Sequence, residues 1–267
     1  MTTPGLASSD AAQAHRLQDA LAARDLVCGV EWTAETASTN AELLRRVRVP
    51  GAPPQWLVAG HQSAGRGRQG RRWLGAGDAL LASLAWPFPS ATAVDGLSLA
   101  VGVWVVQALQ ALGVREAALK WPNDVLLGGR AEPARKLAGV LIELADTPQA
   151  RWAVIGIGLN LRAAPPEAAA LDACGLHTTR WDLLQELAPR LLQALPRFAL
   201  EGFAPWRDAW NALHAWQGRP VRVLDQGREI ARGSACGADA RGCLLLRTAQ
   251  GTLPVVAGDV SLRLGED

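Results

Sequence analysis

The sequence lacks any apolar run near the eighteen or so residues that a membrane-spanning helix needs. Its first residues, "MTTPGLASSDAAQAHR", have no basic-then-apolar order, so a secretory signal peptide is not expected. Only four cysteines occur, Cys28, Cys174, Cys236 and Cys243. None forms a C-x-x-C pair, which argues against a disulfide framework or a cysteine metal site. The histidines at 15, 61, 177 and 214 have no ligand spacing, so no metal site is expected from motif. Neither G-x-S-x-G nor a Walker A motif is present. Net charge is only +2, so any basic site must be local. Lysine is the scarcest charge: only Lys120 and Lys136 stand among 27 basic residues. An ammonium is a compact point charge and a guanidinium is a planar fork, so a chain that uses lysine twice invites a look at both places. These absences describe a soluble, cytoplasmic protein.

About half of the 267 residues are apolar, enough for a sizeable core. Residues 10–24, "DAAQAHRLQDALAAR", have the helical spacing of an amphipathic helix. "LVCGVEW" reads as a strand. In "ASTNAELLRRV", Thr39 and Glu42 form a T-x-x-E capping box, which predicts a helix start. "WLVAG" and "ALLASLAWP" are short apolar runs and read as strands. "GLSLAVGVWVVQALQALG" has the length of a buried helix. "AALKWPNDVLL" reads as strand, turn, strand, and "KLAGVLIEL" and "WAVIGIGLNL" as two further strands. Residues 181–214 are helical, with interruptions expected at Pro189, Pro196 and Pro205. From about Gln217 the texture changes. "GRPVRVLD", "GREIARGSACGA", "GCLLLRT" and "GTLPVVAGDVSLRL" are short strands between glycine turns, as in a small all-β barrel. The expected division is an N-terminal helical extension over 1–30, a main domain over 31–215 and a barrel over 216–267.

"HQSAGRGRQGRRW", His61 to Trp73, packs four arginines and three glycines into residues 65–72. Gly65, Gly67 and Gly70 match G-x-G-x-x-G, the dinucleotide fingerprint. That fingerprint needs a helix at its third glycine and an acid about twenty residues on. Here Gly75 and Gly77 break the following segment, and Asp95 lies thirty residues past Gly65. A Rossmann turn is therefore excluded. The remaining reading is a loop whose amides and guanidinium forks hold a phosphate-bearing ligand, as a lid that orders on binding. Its alternative is a solvated basic loop. Nonspecific RNA binding lacks an aromatic platform, since only Trp73 is near.

Other clusters are ambiguous when read alone. In "KWPNDV", Asn123 and Asp124 after a proline favour a turn. Lys136 opens an apolar strand sixteen residues after Lys120, so both lysines fall in one hairpin region. "GIGLN" permits close approach to a ligand or tight strand packing. Ser38, Thr39 and Asn40 favour a helix cap, but they also present polar groups where a small ligand could bind.

The ordered set "STN", "HQSAGRGRQGRRW", "KWPNDVLL", "KLAGVLIEL" and "GIGLNL" resembles the biotin–protein ligases, and "AGDVSLR" is similar to the end of their C-terminal domain. The resemblance covers most of the chain from Glu31 onward. It implies an α+β fold: a central mixed β-sheet with flanking helices, of the class II synthetase-like type, then an SH3-like barrel. It also implies the reaction. ATP and biotin give biotinyl-5′-AMP and pyrophosphate, with magnesium accompanying ATP, and the biotinyl group passes to a lysine of the biotin carboxyl carrier protein of acetyl-CoA carboxylase.

By that resemblance the biotin site comprises Ser38, Thr39, Asn40, Gln62, Gly65, Arg66, Lys136, Gly139 and Gly158. The adenylate site comprises Arg68, Arg71, Trp73, Asn123, Asn160 and Arg263. Lys136 and Arg68 would serve catalysis, and Asp124 would steer the incoming amine. Some relatives carry an N-terminal helix-turn-helix that binds DNA. Only about thirty residues precede the first core strand here, so a monofunctional ligase without operator binding is expected. It would be a monomer or a homodimer. "GGRAEPAR", before Lys136, is longer than the family's tight turn. The alternatives are a lipoate or octanoate transferase, whose fold is related, and a biotin sensor without catalysis.

Overall fold

The computed structural model describes residues 4–73, 78–128, 134–258 and 260–265. Of "GGRAEPAR", residues 128–135, the central residues 129–133 lie outside the described residues.

Twelve strands and five α-helices are described. The first sheet contains β1 (Gly29–Thr36), β2 (Gln55–Gln62), β3 (Ala79–Phe88), β4 (Ala117–Lys120), β5 (Asp124–Leu127), β6 (Arg135–Asp146) and β7 (Arg151–Asn160). Its spatial order is β1-β2-β3-β7-β6-β5-β4. β1 and β2 are parallel and every other neighbour pair is antiparallel, so the sheet is mixed. The parallel pair needs a crossover, and α2 (Thr39–Arg46) supplies it.

The central strands are buried on both faces, which explains their nearly unbroken apolar sequences. Alternate residues of β2 go to opposite sides. Trp56 and Val58 join the main core, while Leu57 packs under α2 with Leu43, Val47 and Val154. The main core is closed by α1 (Pro4–Ala22), α3 (Leu97–Ala111) and α4 (Arg180–Glu201). α1 places Leu17 and Leu21 in that core, and its Gln18 Oε1 accepts from Val30 N at 2.9 Å. α3 is apolar almost all round because it packs against α4, α5 (Arg207–Leu213) and strands β4, β5 and β6.

Two expectations about helices are corrected. α2 is capped by Ser38, whose Oγ accepts from Ala41 N, and Thr39 is already inside the helix. Glu42 instead binds Arg45 and Arg46, at 2.7 and 2.8 Å, so the Thr39–Glu42 box does not form. α4 runs unbroken through Pro189 and Pro196. Each interior proline costs about 3 kcal/mol in an isolated helix. Here the face carrying Leu184, Leu187, Leu191, Leu195 and Phe198 is buried in the core, and that burial outweighs the lost backbone bonds. The chain does break between Gly202 and Trp206, around Pro205.

The second sheet is antiparallel, with β8 (Pro220–Asp225), β9 (Arg228–Ala238), β10 (Leu244–Thr248), β11 (Gly251–Val255) and β12 (Val260–Leu264). Its order is β11-β10-β9-β8-β12, and the two edge strands do not pair with each other. This five-stranded antiparallel order fits the expected SH3-like barrel, with its ring of hydrogen bonds open between β11 and β12 among the described residues. Val221, Ala235, Leu244 and Leu262 continue the main core. Trp121, fully buried at the end of β4, donates its indole N–H to Gly242 O at 3.1 Å, tying the two sheets together. Among the described residues no helix is long and apolar enough to cross a membrane.

Candidate active site

One cavity gathers the clusters that the sequence singled out. It lies between the loop after β2, the β4–β5 turn, the starts of β6 and α2, the end of β7 and strand β12 of the second sheet. Of the expected site residues, all line it except Gly65 and Asn160.

The arginine-glycine loop is not a helix start. Gly67 N donates to Arg71 O at 2.7 Å and Trp73 N to Gly65 O at 3.0 Å, so the segment folds back on itself as a narrow hairpin. Gly70 sits at φ 68°, a left-handed conformation that glycine adopts freely and that turns the tip. Gly65 is where the hairpin closes: a Cβ there would lie 3.0 Å from Trp73 O. Three side chains hold the hairpin to the rest of the protein. Arg66 pairs with Glu143 at 3.1 Å. Arg72 donates to Ser63 O at 3.0 Å. Arg68 donates to Asn123 Oδ1 at 3.2 Å and to Gly258 O in the second sheet's last loop.

Beside α2 lies a buried polar chain. Gln62 Oε1 accepts from Thr39 N at 2.8 Å and from Thr39 Oγ1 at 3.1 Å. Thr39 Oγ1 also meets Ser83 Oγ at 2.6 Å, and Ser83 donates to Asn40 Oδ1 at 2.6 Å. Asn40 Nδ2 then donates to Glu143 Oε2 at 2.9 Å and Leu141 O at 3.3 Å. The far oxygen of Glu143 is the one that holds Arg66. A continuous run of polar contacts thus joins the cavity floor to the loop, with two hydroxyl protons shared among the three contacts of Thr39 and Ser83. Asn40 lines the cavity with both its carbonyl and its amide engaged in this set.

Ser83 and Glu143 were not singled out in the sequence. Each is the sole polar residue in an apolar strand segment, "ALLASLAWP" and "VLIEL", and that was the available signal. Buried polar groups normally require partners, so a lone Ser or Glu in a covered strand marks a network.

Two glycines of "GIGLN" are explained by what lies against them. A Cβ on Gly158 would fall 2.5 Å from the Trp73 ring, which lies across β6 and β7 and also covers Gly139. A Cβ on Gly156 would fall 2.3 Å from Asn40 Oδ1. Asn40 is held by Ser83 and Glu143 and has nowhere to retreat. Gly156→Ala is therefore expected to destabilise the protein by about 1–3 kcal/mol through overpacking. Equilibrium urea unfolding measures this; a midpoint equal to that of the parent protein would mean that Asn40 is free to move.

The two lysines of the chain meet at one carboxylate. Lys136 Nζ lies 2.6 Å from Asp124 Oδ1, and Lys120 Nζ 3.4 Å from Asp124 Oδ2. Burial pushes the Asp124 carboxyl up, but the neighbouring ammonium groups of Lys136 and Lys120 outweigh it and hold it below the usual range. Burial pushes Lys120 down, and Asp124 only partly offsets this. Lys136 also lies 5.5 Å from the Trp73 ring centroid. Asn123, one residue before the carboxylate, donates to Val140 O at 2.8 Å, which fixes the turn on β6. Arg263 reaches the cavity from β12.

Asn160 lies elsewhere, at the end of β7. Its Nδ2 donates to Ala169 O at 3.0 Å. Its Oδ1 is buried with no partner among the described residues. No group of three or more His, Cys, Asp or Glu residues among those described could hold a metal ion.

The pattern of the "Biotin/lipoate A/B protein ligase family" matches residues 32–160, and that of the "Biotin protein ligase C terminal domain" matches residues 218–263. The chain is 34% identical over 242 residues to the biotin–[acetyl-CoA-carboxylase] ligase of Paracoccus denitrificans, covering 85% of this chain and 98% of that protein. It is 35% identical over 239 residues to the bifunctional ligase/repressor BirA of Escherichia coli, covering 86% of this chain and 72% of that one. The fold matches a solved biotin protein ligase from Aquifex aeolicus in complex with biotin and ATP, with a TM-score of 0.73 and 28% identity, over 88% of this chain and 98% of the other.

Proposed function

This chain belongs to the biotin protein ligase family and is a ligase acting on biotin with ATP; from that premise we propose that it biotinylates one lysine of the biotin carboxyl carrier protein of acetyl-CoA carboxylase through a biotinyl-5′-AMP intermediate. The observation that carries this reading is the single cavity. It unites the arginine loop, both lysines, and the polar triplet at the start of α2.

In the first step a carboxylate oxygen of biotin attacks the α-phosphorus of ATP, and pyrophosphate leaves. An anionic nucleophile must approach an anionic phosphate, so fixed cations are needed where that charge concentrates. Lys136 is the candidate to bridge the carboxylate and the α-phosphate. Arg68, Arg71 and Arg263 are the candidates for the phosphates, and Arg66 for the biotin side. Thr39, Ser38 and Gln62 would bind the polar ring atoms of biotin. Gln62 has its carbonyl occupied by Thr39, which leaves its amide as a donor for a ligand carbonyl. Trp73 would cover the adenine side. Magnesium would arrive on the nucleotide: the only carboxylate at the two lysines is Asp124, already neutralised by them, so the described residues do not fit a resident metal.

In the second step the ε-amine of the carrier lysine attacks the acyl carbon. The amide forms, AMP leaves, and the amine loses a proton. Asp124 is the candidate to orient that amine.

The test is incubation of the protein with the carrier domain, ATP and labelled biotin or lipoate, with pyrophosphate followed in parallel. Pyrophosphate release and carrier labelling with biotin are the expected results. Labelling by lipoate alone would assign the site to lipoate transfer. Biotin binding without pyrophosphate release would make it a sensor.

A further inference from the structure

We propose that Lys120 is a positioning residue of the amine-transfer step, holding Asp124 in place while Lys136 is engaged with the acyl adenylate. The inference rests on the reading above and extends it to a residue that the arginine loop and the biotin pocket do not use.

Lys120 and Asp124 are directly paired across the β4–β5 hairpin, with a three-residue turn between them. The Lys120 side chain is only 15% exposed, and its ammonium faces the Trp216 ring at 5.0 Å from the centroid. The chain leading to Trp216 is fastened to the same strand, since Ala215 N donates to Leu119 O at 2.9 Å. Lys120 is therefore enclosed by its strand, an aromatic face and a carboxylate. Lys136 is different. Its side chain is 39% exposed toward the cavity, and Trp73 is its aromatic neighbour.

The two ammonium groups thus divide one carboxylate between them. When Lys136 turns to the reacting carboxylate and phosphate, Asp124 loses its shorter contact. Lys120 remains on the other oxygen. A lysine suits this place because a compact ammonium fits between a ring and a carboxylate. The scarcity of lysine makes the placement informative: both lysines of a chain rich in arginine stand on Asp124.

Two cations bear directly on this carboxylate, and two more stand in the same cavity. Lys120 approaches from β4 and Lys136 from β6. Arg263 on β12 lines the same cavity, and Arg68 reaches the adjoining Asn123 from the loop. Removing Lys120 takes away one positive neighbour, which raises the pH at which Asp124 becomes protonated. Asp124 is useful to an incoming amine as the anion, so amine transfer should then fail at a higher pH as the solution is acidified.

The test separates the two half-reactions. Adenylate formation is read by pyrophosphate release, and transfer by a single turnover of isolated biotinyl-AMP and enzyme on the carrier domain, across about pH 3 to 9, so that the carboxylate range is covered. For Lys120→Met, transfer near neutral pH should drop about tenfold, its acid limb should move up by about one pH unit, and adenylate formation should change by less than about threefold. Lys120→Arg keeps the charge against Trp216 and should restore the acid limb. Lys120→Gln, which keeps a donor to Asp124 without charge, should move the limb as Lys120→Met does; it serves as the reading if the methionine variant does not fold. An unmoved acid limb in the neutral variants, with both half-reactions reduced alike, would overturn the proposal and leave Lys120 a packing residue. A parent enzyme that neither forms the adenylate nor labels the carrier would instead overturn the functional reading itself.

Discussion

Lys136→Ala should lower the rate of pyrophosphate release about 10²–10³-fold, the scale seen when one preorganised charge donor is removed from a reacting oxyanion. Lys136 is the more exposed of the two lysines, faces the cavity and already contacts an anion at 2.6 Å. In the proposed first step it exchanges that carboxylate for the biotin carboxylate and the α-phosphate. Its charge matters most where two anions are forced together, so the loss should fall on the rate more than on biotin binding. Binding of biotin alone, by calorimetry, should weaken by no more than about tenfold, because Thr39, Ser38 and Gln62 remain. Lys136→Arg should rescue poorly. A planar fork places its charge over a wider area and cannot take the position of a point donor between two oxygens. Undiminished pyrophosphate release in the alanine variant would remove Lys136 from this role.

Arg68→Gly should let the adenylate escape. Arg68 is the side chain that connects the loop tip both to Asn123 beside the reaction centre and to Gly258 in the second sheet. A hydrogen bond from a charged donor contributes about 1.5–3 kcal/mol, so losing one such bond's worth of latch predicts a release rate about 10- to 100-fold higher. The released mixed anhydride acylates accessible amines, and a lysine-rich bystander protein added to the reaction should become labelled. Adenylate release measured by competition with excess unlabelled biotin decides the matter. A release rate equal to that of the parent would contradict the latch, whatever the labelling pattern.

The two expected effects have different origins in the chain. Lys136 acts on atoms that it would touch. Arg68 acts through a contact between the catalytic sheet and the C-terminal sheet, and β12 contributes Arg263 and neighbouring wall residues to the same cavity. The C-terminal unit is thus part of the site's enclosure. Trp121 and Gly242 fix the same junction from the other side of the turn.

Much of the site was legible in the sequence because its pieces are local. Glycines alternating with arginines, with no helix after the third glycine, argue against a dinucleotide turn and describe a basic loop without reference to the rest of the chain. Apolar runs of strand length, proline-bounded turns and the glycine-spaced strands after Gln217 follow from short-range geometry. The scarcity of lysine directed attention to Lys120 and Lys136, and the hairpin spacing placed them near each other.

Tertiary structure decided which groups those pieces face. Whether Ser38 or Thr39 caps α2 depends on what waits for Thr39, and that is Gln62 and Ser83, 23 and 44 residues away. Asn40 lines the cavity, and the register of β6 brings Glu143 to it across 103 residues. The prolines of α4 predict breaks, and a buried apolar face keeps the helix whole. Sequence determined the elements, the basic loop and the chemistry on offer, because propensity, turn geometry and side-chain type are properties of neighbours along the chain. Only the packed sheet decided that both lysines share Asp124 and that a hydroxyl and amide chain leads from Gln62 to Arg66. Those contacts depend on strand register and burial, which no single segment contains.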